Sequence, residues 1–276
     1  MSFLIKIKRK LYKLTHPIQG EIWCLHRVVH NRSIYPANRD LEITSDYLEH
    51  LIQEYREKGY NFVSIDCLVR SKCILPRKLV NISFDDGFAD VYENAFPIFK
   101  RYNIPFTIYL TTGFPDYKAD LWWLQMEHLG FTPAEFESIN KEIYASDKPM
   151  AGVMHQLTST SMDSDLVRRY TLSWEQLIEM VDSGLCTIGS HTCSHPGLTR
   201  ISSNEVLREL IESKHIIETR LHIKVQHFSY PHSMQNETIL RLVKQAGYQT
   251  ATLGYGGAIR KGDNPYSLNR VYIVQP

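Results

Sequence analysis

Residues 81–88 read Asn81-Ile82-Ser83-Phe84-Asp85-Asp86-Gly87-Phe88. The apolar run Leu79–Ser83 has the length of a buried strand, and two adjacent carboxylates follow it, then a glycine. Neighbouring acids at the end of such a strand repel each other and resist loss of water unless something compensates them. Successive strand residues face opposite sides, but a turn at Gly87 can bring both Asp85 and Asp86 toward one pocket. A cation there would resolve the repulsion, one carboxylate binding it and the other standing by as a base. Taken alone, Asp-Asp-Gly is explained more simply as a strand end with a solvated turn.

On either side the chain repeats strand followed by helix. Glu21–Val28, Asn61–Ile65, Pro105–Leu110, Cys186–Gly189, Val225–Tyr230, Thr250–Leu253 and Leu268–Val274 have strand character. Helices are predicted for Ser45–Lys58, ending at Gly59, and for Asp90–Tyr102, with Pro97 as its weak point. Ser173-Trp174-Glu175-Gln176 and Ser202-Ser203-Asn204-Glu205 have the form of capping boxes, opening helices that run to Gly184 and Leu221. Asn236–Ala246, closed by Gly247, completes the set. Repeated strand–helix units in 276 residues predict an α/β fold, either a barrel or a doubly wound sheet. Residues 113–171 break the rhythm and carry Trp122-Trp123, so they are expected to form an insertion, a lid or a wall for substrate.

A second motif, Ser190-His191-Thr192-Cys193-Ser194-His195-Pro196, follows the apolar strand Cys186–Gly189. Histidines four residues apart share one side of a helical turn, a spacing that suits joint metal ligation. Cys193, two residues after His191, is expected to face away. Both motifs lie just past the C-terminal end of a predicted strand, where α/β folds build their sites. Two imidazoles and a carboxylate form an open ligand set with room for water.

The charge balance, 31 Lys plus Arg against 30 Asp plus Glu, gives no reason to expect a nucleic-acid partner. Five cysteines without a C-x-x-C pair argue against a disulfide framework and suit a reducing compartment. No run approaches the ~18 apolar residues of a membrane span. Lys6, Lys8, Arg9 and Lys10 interrupt the start too early for a signal peptide, so a cytoplasmic location is expected. Residues 1–19 form a basic amphipathic segment ahead of a domain at 20–276. Phe3, Leu4, Ile7, Leu11 and Leu14 share a helical face, which makes peripheral membrane contact through residues 1–15 an expectation; packing on the domain is the simpler alternative.

Phe84-Asp85-Asp86-Gly87 and His191-Thr192-x-x-His195 resemble the first two motifs of the polysaccharide deacetylases, the NodB-homology or carbohydrate esterase 4 family. Tyr230-Pro231-His232 looks like the third motif and Leu268-Asn269-Arg270-Val271 like the closing strand. The resemblance runs from Gly20 to Val274. It implies a distorted (β/α) barrel with fewer than eight strands, and a hydrolase that removes N-acetyl groups from an amino sugar in a polysaccharide or glycan precursor. It also implies that Asp86, His191 and His195 bind one divalent metal, Zn²⁺ first with Co²⁺, Ni²⁺ or Fe²⁺ compatible. Asp85 would be the base. The Tyr230-Pro231-His232 loop would line the acetyl pocket, with the backbone N–H of His232 facing the oxyanion and its side chain free to face solvent.

The chain departs from the family in two places. Many members carry an arginine two residues before the motif's proline, where this chain has Ser229; Arg270 is the candidate replacement for orienting Asp85. The usual late Leu-x-His, which holds the general acid, is not found. Leu25-His26-Arg27-Val28 resembles the Tyr-His-x-Val-like strand of other members, making His26 the candidate acid, ahead of His227 and His232. Two other readings stay open: a sugar-binding barrel without turnover, and a hydrolase of another small amide or an O-acetyl ester.

Overall fold

The computed structural model describes residues 15–70 and 78–276. The amphipathic face expected within residues 1–15 therefore lies almost wholly outside the described residues. Among those described, no helix is long and apolar enough to cross a membrane, and the four cysteines present are all free.

The strands, in chain order, are β1 (Ile18–Leu25), β2 (Arg27–Val29), β3 (Glu42–Thr44), β4 (Asn61–Phe62), β5 (Leu79–Asp86) and β6 (Phe106–Leu110). They continue with β7 (Cys186–Ser190), β8 (His227–Ser229), β9 (Thr250–Gly256), β10 (Ile259–Arg260) and β11 (Leu268–Tyr272). Seven of them close a parallel barrel in the order β1-β5-β6-β7-β8-β9-β11, with β11 pairing back onto β1. Short β4 adds to the lower edge of β5, β10 lies antiparallel against the start of β1, and β2 pairs only with β3. The barrel is the expected (β/α) form with fewer strands than eight. Its first strand already begins at Ile18, two residues before the predicted domain boundary.

A barrel this narrow is filled by side chains rather than left as a pore. Tyr109 lies inside, fully buried, and a Cβ at Gly189 would come within 2.5 Å of its ring. Glycine at 189 is what leaves space for that tyrosine. The main core fills the space between barrel and outer helices, with Phe84, Phe96, Phe99 and Phe106 in mutual ring contact on one side. Each such side chain contributes about 1.5–3 kcal/mol through burial.

Both predicted capping boxes are present, at Ser173/Gln176 and Ser202/Glu205. The Asp90–Tyr102 segment differs from a plain helix: it opens as a π-turn at Val91–Ala95 and becomes α-helical only at Phe96–Tyr102. Pro97 has no N–H for the carbonyl four residues back, so the wider turn forms there. The expected strand Asn61–Ile65 is cut to two residues because the Ser64 hydroxyl accepts from the Cys67 amide and starts the helix Ile65–Arg70. The expected strand Glu21–Val28 likewise breaks at His26, after which β2 leaves the barrel for β3. Val225–Tyr230 shortens to His227–Ser229.

Residues 113–171 form the expected insertion, with helices Trp122–His128, Pro133–Ala145, Met150–Thr158 and Ser164–Tyr170. It has its own apolar cluster, including Leu121, Trp122, Phe136, Ile143 and Met154, packed against Phe88 and Tyr35 of the main body.

Candidate active site

Strand register sets the site. Asp86 pairs with Leu110, Leu110 with Ser190, and Ser190 with Phe228, so the ends of β5 to β8 finish level. Leu25 is level with Phe84, which carries His26 to the height of Asp85 on the neighbouring strand.

Asp86 and Gly87 both take left-handed backbone, φ 73° and 98°. A Cβ at Gly87 would lie 2.6 Å from Leu110, which, with that φ, makes glycine necessary. This turn breaks the strand's alternation, so both carboxylates face the pocket with only 4% and 3% of Asp85 and Asp86 exposed. Their environments then diverge.

Asp86 meets the histidines: its Oδ1 lies 3.5 Å from His191 Nε2 and 3.2 Å from His195 Nε2. One ligand atom from each of the three residues falls within 4.8 Å of the others. Asp86 Oδ1 is buried without a hydrogen-bond partner, an orphaned acceptor of the kind a cation satisfies. Burial raises the Asp86 carboxyl, but His195 and His191 more than offset this and hold it well below the usual range. His191 Nδ1 lies 2.8 Å from the Ser229 carbonyl, which can only accept, so Nδ1 carries the proton and Nε2 offers its lone pair. Burial pushes His191 down to about 4, leaving it neutral and ready to ligate. The donor set fits a divalent metal.

The two histidines are not on a helical turn, contrary to expectation. Thr192 and His195 have φ of 72° and 56°, and the Thr192 hydroxyl accepts from the His195 amide at 3.0 Å. Glu209 fixes the outer side of this loop, accepting from the amides of Cys193 and Ser194 at 2.7 and 3.0 Å. On the inner side, Thr112 and Gly113 donate to the carbonyls of Thr192 and Cys193. Cys193 faces away as expected, its thiol directed at the Glu209 carbonyl. Phe114 and Trp123 pack on the His195 ring.

Asp85 meets a guanidinium. Arg270, fully buried, donates Nη1 to Asp85 Oδ1 at 2.8 Å and Nη2 to Oδ2. Its Nη2 also reaches the hydroxyl of Ser229, the residue that stands at the family arginine's position, at 2.9 Å. Burial raises the Asp85 carboxyl, and Arg270, with smaller help from His191 and His26, brings it below the usual range. Asp85 is therefore ionised and held at both oxygens.

His26 is half-buried beside this pair, with Tyr272 against its ring at 5.9 Å. Burial lowers its pKa against the opposing pull of Asp86 and Asp85. Cys24, His26 and Asp85 also present ligand atoms within 4.8 Å of one another. Both Asp85 oxygens are already taken by Arg270, however, and burial pushes the Cys24 thiol up, so this trio offers neither a free carboxylate nor a thiolate. His227 is excluded from the pocket: Nδ1 bonds the Thr250 hydroxyl at 2.7 Å and Nε2 faces Asp66.

The Tyr230-Pro231-His232 loop borders the same cavity, of about 390 Å³. Tyr230 is buried and donates to the Tyr266 carbonyl at 2.8 Å. His232 corrects the expectation of a solvent-facing ring: φ of 54° turns it inward, 4.6 Å from the ring of His195. Burial, with His195 nearby, holds it well below the usual imidazole range. The insertion forms the opposite wall through Trp122, Trp123, Phe136, Asn140 and Tyr144. The last three sit four residues apart on one helix face, a periodicity visible in the sequence.

A family model described as polysaccharide deacetylase matches residues 73–251. The chain belongs to the polysaccharide deacetylase family. His26 and Arg270 lie outside the matched stretch. The chain is 26% identical to the Bacillus subtilis protein YxkH, over 71% of its own length and 52% of that protein. It is 21% identical to the poly-β-1,6-N-acetyl-D-glucosamine N-deacetylase of Staphylococcus epidermidis, over 85% of its own length and 69% of the relative. Against YxkH, then, the match spans only about half of the relative's length. The solved structure of Streptococcus pyogenes deacetylase PplD in complex with acetate superposes with a TM-score of 0.69 at 22% identity, covering 94% of this chain and 93% of that one. IcaB from Ammonifex degensii gives 0.66 at 22%, covering 93% and 92%. Both share the barrel fold.

Proposed function

We propose that this protein is a metal-dependent hydrolase that removes N-acetyl groups from a glucosamine-containing polysaccharide. The observation that carries the proposal is the division of labour between two adjacent carboxylates in one sugar-sized cavity: Asp86 with two histidines, Asp85 with a buried arginine. A pocket that only bound sugar would have no use for an ionised base locked beside a ligand set. The staphylococcal relative, whose name specifies poly-β-1,6-N-acetyl-D-glucosamine, directs the choice of substrate.

Asp86, His191 and His195 hold the metal, with zinc the assignment that two imidazoles and a carboxylate favour. When bound, the ion supplies Lewis acidity toward water and the acetyl carbonyl. Asp85 accepts the proton of the attacking water, and Arg270 and Ser229 keep its carboxylate ionised and oriented. The Tyr230-Pro231-His232 loop closes the acetyl side, with the His232 amide as a donor to the developing oxyanion. An amine leaves only when protonated; His26, level with Asp85 on the neighbouring strand, stands where it can deliver that proton.

The experiment is acetate release from N-acetylglucosamine oligomers by protein stripped with chelator and reloaded with zinc. Release that needs the metal supports the reading. Oligomer binding without release would favour a sugar-binding barrel, and release from O-acetylated substrates alone would favour an esterase.

A further inference from the structure

The His232 side chain has a role that its backbone assignment leaves unused. Its Nε2 is buried and has no hydrogen-bond partner, a costly state for an imidazole nitrogen. Its Nδ1 lies 3.3 Å from the hydroxyl of Tyr144, a residue of the insertion. The ring stands edge-on to His195 at 4.6 Å, with Trp122 at 6.4 Å on another side. It is thus fixed next to the ligand set, where the scissile acetamido group must sit. We propose that His232 is a catalytic residue that donates a hydrogen bond from Nε2–H to the substrate's acetamido group, and that Tyr144 is the positioning residue that fixes this tautomer. The inference rests on the functional reading above.

The tautomer follows from donor and acceptor strength. A neutral imidazole carries one proton, and its bare nitrogen is a far better acceptor than a phenol oxygen. The Tyr144 hydroxyl therefore donates to Nδ1, which leaves the proton on Nε2. Two features hold the arrangement. Ser233, also left-handed at φ 55°, accepts from the Gly254 amide through its hydroxyl at 2.7 Å, pinning the loop behind His232. Arg200 donates to the carbonyls of Ile143 and Tyr144 at 2.9 and 3.0 Å, closing the end of the insertion helix that carries Tyr144. Arg200 itself lies five residues after His195, so insertion, histidine loop and third motif are linked in one circuit.

The test is nitrogen-15 NMR of the zinc-loaded protein together with steady-state kinetics on N-acetylglucosamine oligomers. His232 should give the Nε2–H pattern in the wild type, and in Tyr144→Phe its Nδ1 resonance should lose the shift that the phenol hydrogen bond imposes. The same substitution should lower kcat roughly three- to ten-fold, the scale of one hydrogen bond, and move KM less. A structural role alone would not pair the loss of that Nδ1 shift with a lower kcat. An Nδ1–H pattern in the wild type, or an unchanged kcat in Tyr144→Phe, overturns the proposal while leaving the deacetylase reading intact. A wild type that shows the Nε2–H pattern but releases no acetate overturns the deacetylase reading, and the acetamido contact with it.

Discussion

Replacing Arg270 with methionine removes one partner of a buried ion pair. Arg270 is fully buried and the Asp85 side chain is 5% exposed, so solvent cannot compensate the remaining carboxylate. Breaking such a pair from one side costs about 3–5 kcal/mol, because a charge is left uncompensated. For a domain of this size that lowers Tm on the order of 10 °C. Arg270→Met also takes a donor from the Leu253 carbonyl and from the Ser83 and Ser229 hydroxyls, a second cost, although these hydroxyls still donate to the Trp23 carbonyl and to Asp85. A double-mutant cycle with Asp85→Asn separates the two terms, measured by urea unfolding in chelator so that metal binding does not contribute. The double variant should be more stable than Arg270→Met alone by at least about 1 kcal/mol, since its carboxylate is gone. The pH dependence has a definite sign. The folded Asp85 pKa lies below its unfolded value of about 3.9. Its contribution is therefore complete above that value and lost as pH falls through the folded one. The gap between wild type and Arg270→Met should be widest at neutral pH and narrow below about pH 4. Additive effects of the two substitutions, or a gap that ignores pH, would refute the argument.

Three further outcomes test the site. His195→Ala should lose bound metal, and full occupancy by elemental analysis would mean the ligand set is wrong. Asp85→Asn should keep the metal while turnover falls roughly a hundredfold or more, the scale of a general base; a wild-type rate would place the base elsewhere. His26→Ala should keep the metal and lose most amide hydrolysis, while an activated acetyl ester, with its better leaving group, is affected much less. Equal losses on the two substrates would make His26 structural.

What was legible in the sequence is what is local in the chain. Asp85-Asp86-Gly87 and His191…His195 each sit in a short stretch after a strand, and the capping boxes span four residues. The contacts that give those residues their different characters are not local. Arg270 meets Asp85 across 185 positions, and nothing within the β11 sequence says which strand its guanidinium will face. The histidine spacing suggested a helical turn because spacing carries no φ; Thr192 and His195 are left-handed because Glu209 and Gly113, distant in sequence, fix the loop. The inward turn of His232 is hidden for the same reason, since a positive φ at a non-glycine residue leaves no trace in composition. The Ser64 cap and the Phe136/Asn140/Tyr144 face, by contrast, were readable signals that stronger neighbouring patterns obscured.

The barrel explains why the proposed base and the proposed metal ligands should respond differently to mutation. From its place on β11, the Arg270 side chain bonds β9 at Leu253, β5 at Ser83 and Asp85, and β8 at Ser229. Its planar guanidinium spans the interior of a seven-stranded barrel and lies over Tyr109, the aromatic that fills the space below. The polar group that orients the base is thus part of what holds the barrel closed. His191 and His195, the proposed ligands, instead stand on a loop outside the strands, braced by Glu209 and by the segment that follows β6. Removing the His195 imidazole leaves the strand pairing and the arginine contacts intact, whereas the His191 ring also donates to the Ser229 carbonyl of β8. Substitutions on the Asp85 side should therefore lose stability and activity together, whereas those on the histidine side should lose metal and activity while the metal-free barrel keeps most of its resistance to urea.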